Sequence, residues 1–402
     1  MTDKELEKIT NQILFRFQKA NETYIDLMTK HILENGKLSA SDINRIGQYR
    51  QMGANIDEIE GLLADATNKS MKDIEKMYVS KMDDVYKGQS KYYKAKGIKQ
   101  VPILKNRRAV NLARTVVKRT ENTLKNISRT TSIYPQYKAI VDESILLVSQ
   151  GVDNYERVIR TKLNEAQQKG LFIKERKKGS RSYKSLTQRY QWKTRKTPSG
   201  MEYEGYLDRR LDSAIRMNIT EGVKQVEQEM LNITGEEFGA DGWELDAHGL
   251  CGKDHLDIQG RIFTNEEYQI EVIEPSEQGD IRPIGELNCT HTATPILIGI
   301  SEPTYTKEEL DEMNALSTET VELYEGQEKP PTRYECSQKM RALETNIRTE
   351  KEILNGVLKA NDKEAIAKSR KKIKNYKQKY DYISKSAKID KRPELMRVYG
   401  KG

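Results

Sequence analysis

Few residues in this chain are of the kinds that staple or crowd a globular core. Its 402 residues include three cysteines, two tryptophans and five phenylalanines. Three thiols cannot all pair, and they are not spaced as a disulfide framework, so a reducing compartment is expected. Long apolar runs are also missing. The run ILLV at 145–148 falls far short of the ~20 residues needed to span a bilayer, so no membrane span is expected. The opening MTDKELEKIT has acids where a signal peptide would need basic and then apolar residues, which points to a soluble intracellular product. No G-x-x-x-x-G-K-[ST], G-x-G-x-x-G, G-x-S-x-G or H-E-x-x-H occurs, so nucleotide hydrolysis and serine-hydrolase chemistry have no visible apparatus. No internal repeat is evident.

What the chain does have is charge. Charged residues make up 32% and hydrophobic ones 36%, a lean ratio for one large globule that suits elongated helices with mostly wet faces. The net charge of +8 and a pI of ≈ 9.0 favour acidic partners, nucleic acid first. The 21 tyrosines supply aromatic surface with a polar handle, as at interfaces.

Ile9, Ile13, Phe17, Ala20, Tyr24 and Leu27 recur at steps of three and four, which predicts an amphipathic helix ending at Asn35-Gly36. Ser39-x-x-Asp42 reads as the cap of a second helix with a break near Gly53, and Ser70-x-x-Asp73 as the start of a third. These stripes suit a helical bundle, or docking on a neighbouring subunit. Residues 97–135 are basic with apolar residues at helical spacing, and 138–170 read as two further helices. Between Lys174 and Lys196 ten Lys/Arg face one acid, with Tyr183, Tyr190 and Trp192 interleaved. Cations for phosphates and flat rings for bases suit nucleic acid, which makes Lys177, Lys178, Arg181, Trp192, Arg195 and Lys196 candidates. A solvated loop is the plain alternative. Residues 201–235 return to helix, with Leu207, Leu211, Ile215, Ile219 and Val223 at steps of four.

A compact island follows at 243–300. It holds three of the four histidines, His248, His255 and His291, and two cysteines, Cys251 and Cys289. Trp243-Glu-Leu-Asp alternates as a half-buried strand does, and Leu256–Phe263 reads as a second strand kinked at Gly260. The pattern H-x2-C-x3-H…C-x-H offers five soft or borderline donors where a zinc ion wants four. Three readings stay open. The five form a structural zinc site; or the thiols are small buried groups and the histidines tie loops by hydrogen bonds; or a metal-bound water is the nucleophile of a nuclease or hydrolase, with Glu244, Asp246 or Asp254 as base.

The run HGLCGKDHLDIQGRIF, with His248 and His255 seven apart before Gln259-Gly260, resembles the phage minor capsid protein 2 family. So do GELNCTH (Gly285, Asn288, Cys289, His291) and the P-x-L-x-G-I-S run at 295–301. Tyr334, Gln338, Arg341, Leu343, Glu344, Ile347, Arg348 and Lys351 look like that family's C-terminal helix. The family is similar in turn to the Mu F-like head morphogenesis proteins of tailed phages. The resemblance implies a structural virion component, portal-associated, with phage portal and major capsid or head proteins as partners. It further implies a role in head assembly or DNA delivery, with host cytoplasm as the place of assembly, and it transfers no catalytic residue.

Thr306 is expected to open a short helix before an acidic linker closed by Pro330-Pro331, and 334–385 a helical hairpin broken at Asn361-Asp362. Lys368, Arg370, Lys371, Lys372, Lys374, Lys377 and Lys379 crowd twelve residues there, and double-stranded DNA is the functional reading of that cluster. The expected fold is α+β, predominantly α. It comprises a docking region (1–135), a core with the His/Cys cluster (136–300), an acidic linker (301–333) and a basic helical tail (334–402).

Overall fold

A computed structural model describes residues 3–35, 42–129, 187–193, 204–273, 284, 289–359 and 361–398. The fold is α+β and predominantly helical. The first long helix, α1 (Asp3–Asn35), packs against α2 (Asp42–Gly88) and α5 (Leu211–Phe238), and α2 and α5 both pack against α4 (Arg107–Arg129). Ile13, Phe17 and Ala20 of α1 meet Leu63, Ile74, Met77 and Tyr78 of α2, Val116 and Leu124 of α4, and Ile215, Ile219, Val223 and Val226 of α5. The α1 and α5 series step by three and four, so each forms one buried stripe. Burying each such side chain contributes about 1.5–3 kcal/mol, an upper figure because an unfolded chain already hides part of it.

Two expected breaks in α2 are absent. The helix runs unbroken through Gly53 and Ser70. The Ser70 hydroxyl donates back to the Ala66 carbonyl at 2.6 Å, and Thr67 does the same to Leu63 at 2.9 Å. A serine bonded four residues back leaves the helix intact, so a cap motif in sequence became an interior position. The short α3 (Ser90–Ala95) sets Tyr92 and Tyr93 against Phe238, with ring centroids 5.1 and 5.8 Å apart. Asn106 then caps α4, its Oδ1 accepting from the amides of Arg108 and Ala109.

Residues 138–170, and Lys177, Lys178, Arg181, Arg195 and Lys196, lie outside the described residues. Within the expected loop, β1 (Thr187–Lys193) pairs antiparallel with β2 (Glu204–Arg210), placing Trp192 opposite Gly205. Leu207 therefore belongs to a strand, and the helix expected from 201 begins at Leu211. Arg210 is extended, with ψ 142°, and hands strand to helix. The helix then passes Gly235 and ends at Gly239, which is left-handed with φ 69°. Gly235 lets the sheet approach, since a Cβ there would sit 2.6 Å from Pro295 Cβ.

That sheet has the order β4-β3-β5, all antiparallel, with β3 (Gly242–Leu245) between β4 (Ile262–Thr264) and β5 (Ala293–Ile296). The strand expected over 256–263 is shorter than predicted: 253–255 is a 3-10 turn and 256–260 further turns, with Gly260 at φ 70°. Leu245, Ile258, Phe263, Tyr268, Val272 and Ala293 form a small core of their own, with Trp243 stacked on Tyr268 of the one-turn α6 (Asn265–Tyr268). Thr306 caps α7 (Lys307–Thr318) through a reciprocal pair with Glu309, as the sequence predicts. The hairpin follows as α8 (Arg333–Lys359) and α9 (Lys363–Ala387), where Asp362 caps α9 by accepting from the Ala365 amide at 3.1 Å. Cys336, Met340, Tyr380 and Ile383 form a third core between the hairpin's helices.

Candidate functional site

The turn after β3 and the extended segment before β5 bring the island's donors together. His255 Nδ1 lies 3.3 Å from His291 Nδ1, and Cys289 Sγ lies 3.5 Å from the first and 3.3 Å from the second. These three side chains form one group whose ligand atoms all fall within 4.8 Å. The His291 amide also points at Cys289 Sγ, at 3.4 Å.

The other two expected donors stand apart from that group. Cys251 is buried, but its Sγ sits 3.7 Å from Nε2 of His291, the opposite edge of the ring, and 3.2 Å from the Gly252 carbonyl. His248 stacks on His291 with centroids 4.3 Å apart, its Nε2 at 2.8 Å from Thr290 Oγ1 and its Nδ1 at 3.1 Å from the Gly249 carbonyl.

Gln259, part of the family-like motif but without an assigned role, proves central. It is 3% exposed. Its Oε1 accepts from the His248 amide at 3.2 Å and faces His291 Nε2 at 3.2 Å, while its Nε2 donates to Asn314 Oδ1 at 2.6 Å. An amide nitrogen can only donate, so the His248 contact fixes Oε1 on this side, and His291 must then carry its proton on Nε2. Its Nδ1 lone pair is left facing Cys289 and His255. Burial, and then the neighbouring His248 and His255, push the His291 imidazole down to about 3. On His255 the outer nitrogen, Nε2, faces Asp254 Oδ2 at 3.7 Å.

Of the three carboxylates expected as possible bases, Asp254 stands beside His255, and Glu244 and Asp246 are otherwise engaged. Both oxygens of Glu244 accept from Thr304, at 2.6 Å each, and both of Asp246 accept from Thr292, at 2.7 and 2.9 Å. Burial lifts the Asp246 carboxyl above its usual range, with the Thr292 bonds acting against it.

Cys289 and Thr290 also line a cavity of ≈ 530 Å³ walled by α1, α5, α8 and the 393–397 segment. Gln338, Arg341, Glu344 and Arg348 of the family-like helix line the same cavity. Beside it lies an ion network that the sequence reading missed. Arg210 reaches Asp212 at 3.0 Å and Glu352 at 2.6 Å, and Arg348 reaches Asp212 at 2.8 Å.

Of the basic candidates, Lys371 is exposed on α9, whereas Lys372 is half-buried and paired with Glu350 of α8. Lys368, Arg370, Lys371, Lys374, Lys377 and Lys379 are exposed and meet no carboxylate among the described residues. Arg370, Lys371, Lys374 and Lys377, at i, i+1, i+4 and i+7, share one stripe of the helix. The crowding is felt across the hairpin: burial, and then Lys377 and Arg397, lower the pKa of Lys351 on α8. No described helix is long and apolar enough to cross a membrane.

The family described as phage minor capsid protein 2 matches residues 1–197 and 190–383. No curated protein and no solved structure matches the chain.

Proposed function

The chain belongs to the phage minor capsid protein 2 family, and from that premise we propose that it is a structural part of the virion, assembled in the host cytoplasm at the portal vertex. Its long helices dock on portal and head proteins, and its basic helix α9 meets double-stranded DNA entering or leaving. The observation that carries the DNA part is the stripe of Arg370, Lys371, Lys374 and Lys377, exposed and without acid partners among the described residues. Aligned cations with nothing to neutralise them repel one another, a cost that a row of phosphates offsets. A structural role also accords with the site, because Glu244 and Asp246 spend both oxygens on Thr304 and Thr292. Of the carboxylates a metal-dependent hydrolase could use as base, that leaves Asp254, beside His255.

The test titrates the full chain with duplex DNA across salt concentrations, beside a variant with all four residues changed to Gln. Each lost phosphate contact should flatten the slope of log K against log salt by about 0.9, so the variant should lose about 3–4 in slope. An unchanged slope removes DNA from the reading, and failure of the parent chain to bind purified portal protein removes the portal.

A further inference from the structure

We propose that Nδ1 of His255, Nδ1 of His291 and Sγ of Cys289 are the protein ligands of a zinc ion that ties the 248–260 turn to the segment entering β5. The proposal does not depend on the DNA or portal reading. The separations support it first. Zinc–nitrogen bonds of about 2.05 Å and a zinc–sulfur bond of about 2.3 Å, set tetrahedrally, give edges of about 3.3 Å between nitrogens and about 3.5–3.6 Å between nitrogen and sulfur. The protein holds these atoms 3.3, 3.5 and 3.3 Å apart.

The orientation of each donor supports it next. Gln259 Oε1 accepts a hydrogen bond from the Nε2–H of His291, which leaves the bare Nδ1 facing inward. Asp254 stands at the outer nitrogen of His255, the place a carboxylate takes behind a ligating imidazole. Two inward lone pairs 3.3 Å apart repel unless a cation or a shared proton lies between them. The His291 amide directed at Cys289 Sγ is what stabilises a thiolate, and two imidazoles with one thiolate are a borderline-soft set that suits zinc over magnesium or calcium. Three donors converge among the described residues, which leaves the fourth corner to a further ligand. The geometry also separates the five candidates. Cys251 lies at the wrong edge of the His291 ring, and His248 has both nitrogens engaged, so neither binds this ion.

The experiment measures zinc bound to the full chain, purified without added histidines, and the absorption of its cobalt-substituted form. The parent should hold about one equivalent, Cys289→Ser and His255→Asn less than about a tenth, and Cys251→Ser and His248→Asn the parental amount. Cobalt should show a thiolate-to-metal charge-transfer band that survives Cys251→Ser and is lost in Cys289→Ser. Should Cys289→Ser prove insoluble, the cobalt band of the parent and of Cys251→Ser decides the matter alone. Less than about a tenth of an equivalent on zinc-incubated parent, or metal loss in Cys251→Ser equal to that in Cys289→Ser, overturns the proposal.

Discussion

At Gly222 the backbone of α5 passes so close to α2 that a methyl group would lie 1.8 Å from the Tyr78 hydroxyl oxygen. That hydroxyl is itself held at 2.8 Å from Thr120 Oγ1, inside the core shared with α4. Gly222→Ala must push a packed ring aside or spread the helices, at roughly 2–3 kcal/mol, read as a lower midpoint in urea at unchanged slope. Gln259→Leu should cost a similar amount, roughly 2–3 kcal/mol by the same measurement. It strands the His248 amide and Asn314 without their partner and frees the His291 tautomer. Gly222 carries no signal in the sequence, and Gln259 only its place in the family-like motif, which assigns it no partner. The site's histidines and cysteines stand out by type and clustering, but which atoms face one another depends on how the turn at 248–260 lies against the strand before β5. Cys251 and Cys289 look alike in sequence, yet they end on opposite edges of one imidazole.

The helices were largely legible as elements. The i, i+3, i+4 stripes gave α1, α5 from Leu211 onward and the hairpin, and Thr306 and Asp362 cap where their types suggest. Errors arose where a local motif had two uses. Ser70 could cap or bond backward, and in a helix already held by Ile74 and Met77 it bonds backward. The strand Thr187–Lys193 was hidden by its charge, which drew the reading toward a solvated loop. The junction between β2 and α5 was invisible for another reason: its partners, Arg348 and Glu352, lie far along the chain. There Asp212 is buried, which alone would raise its pKa, but Arg210 and Arg348 beside it hold the carboxyl well below its usual range. A carboxyl depressed on folding stabilises the fold fully above its unfolded value of about 4, and that contribution is lost as pH falls below it. Asp212→Asn should therefore cost roughly 3 kcal/mol at pH 7, by leaving buried arginines under-compensated. The difference in melting temperature from the parent should shrink steadily between pH 4 and pH 2. A difference that stays constant over that range would show that Asp212 is not the ionised partner.

Among the described residues, polar contacts run between three apolar cores. The bundle core, the small sheet core and the hairpin core are separate clusters, with Leu297 after β5 belonging to the bundle. Between bundle and hairpin, Arg210 ties the start of α5 to Glu352 and Thr349 of α8, and Arg348 runs the other way. It pairs with Asp212, donates to Ser213 Oγ at 3.2 Å and to the Leu395 carbonyl at 2.5 Å, and so joins α8, α5 and the 393–396 turn. Lys359 at the end of α8 adds a third tie, to Glu22 and Asp26 of α1, but it is half exposed and weak on that account. A hairpin with its own core, held to its neighbour in part by Arg348, opens more readily as a unit when that arginine goes. Arg348→Met keeps the aliphatic stem and removes the charge. The expected result is hydrogen exchange faster by on the order of tenfold across α9, with little change in the buried middle of α5, and a separate early step in thermal unfolding. Equal acceleration in both helices would mean that bundle and hairpin unfold together, with Arg348 contributing to one shared stability.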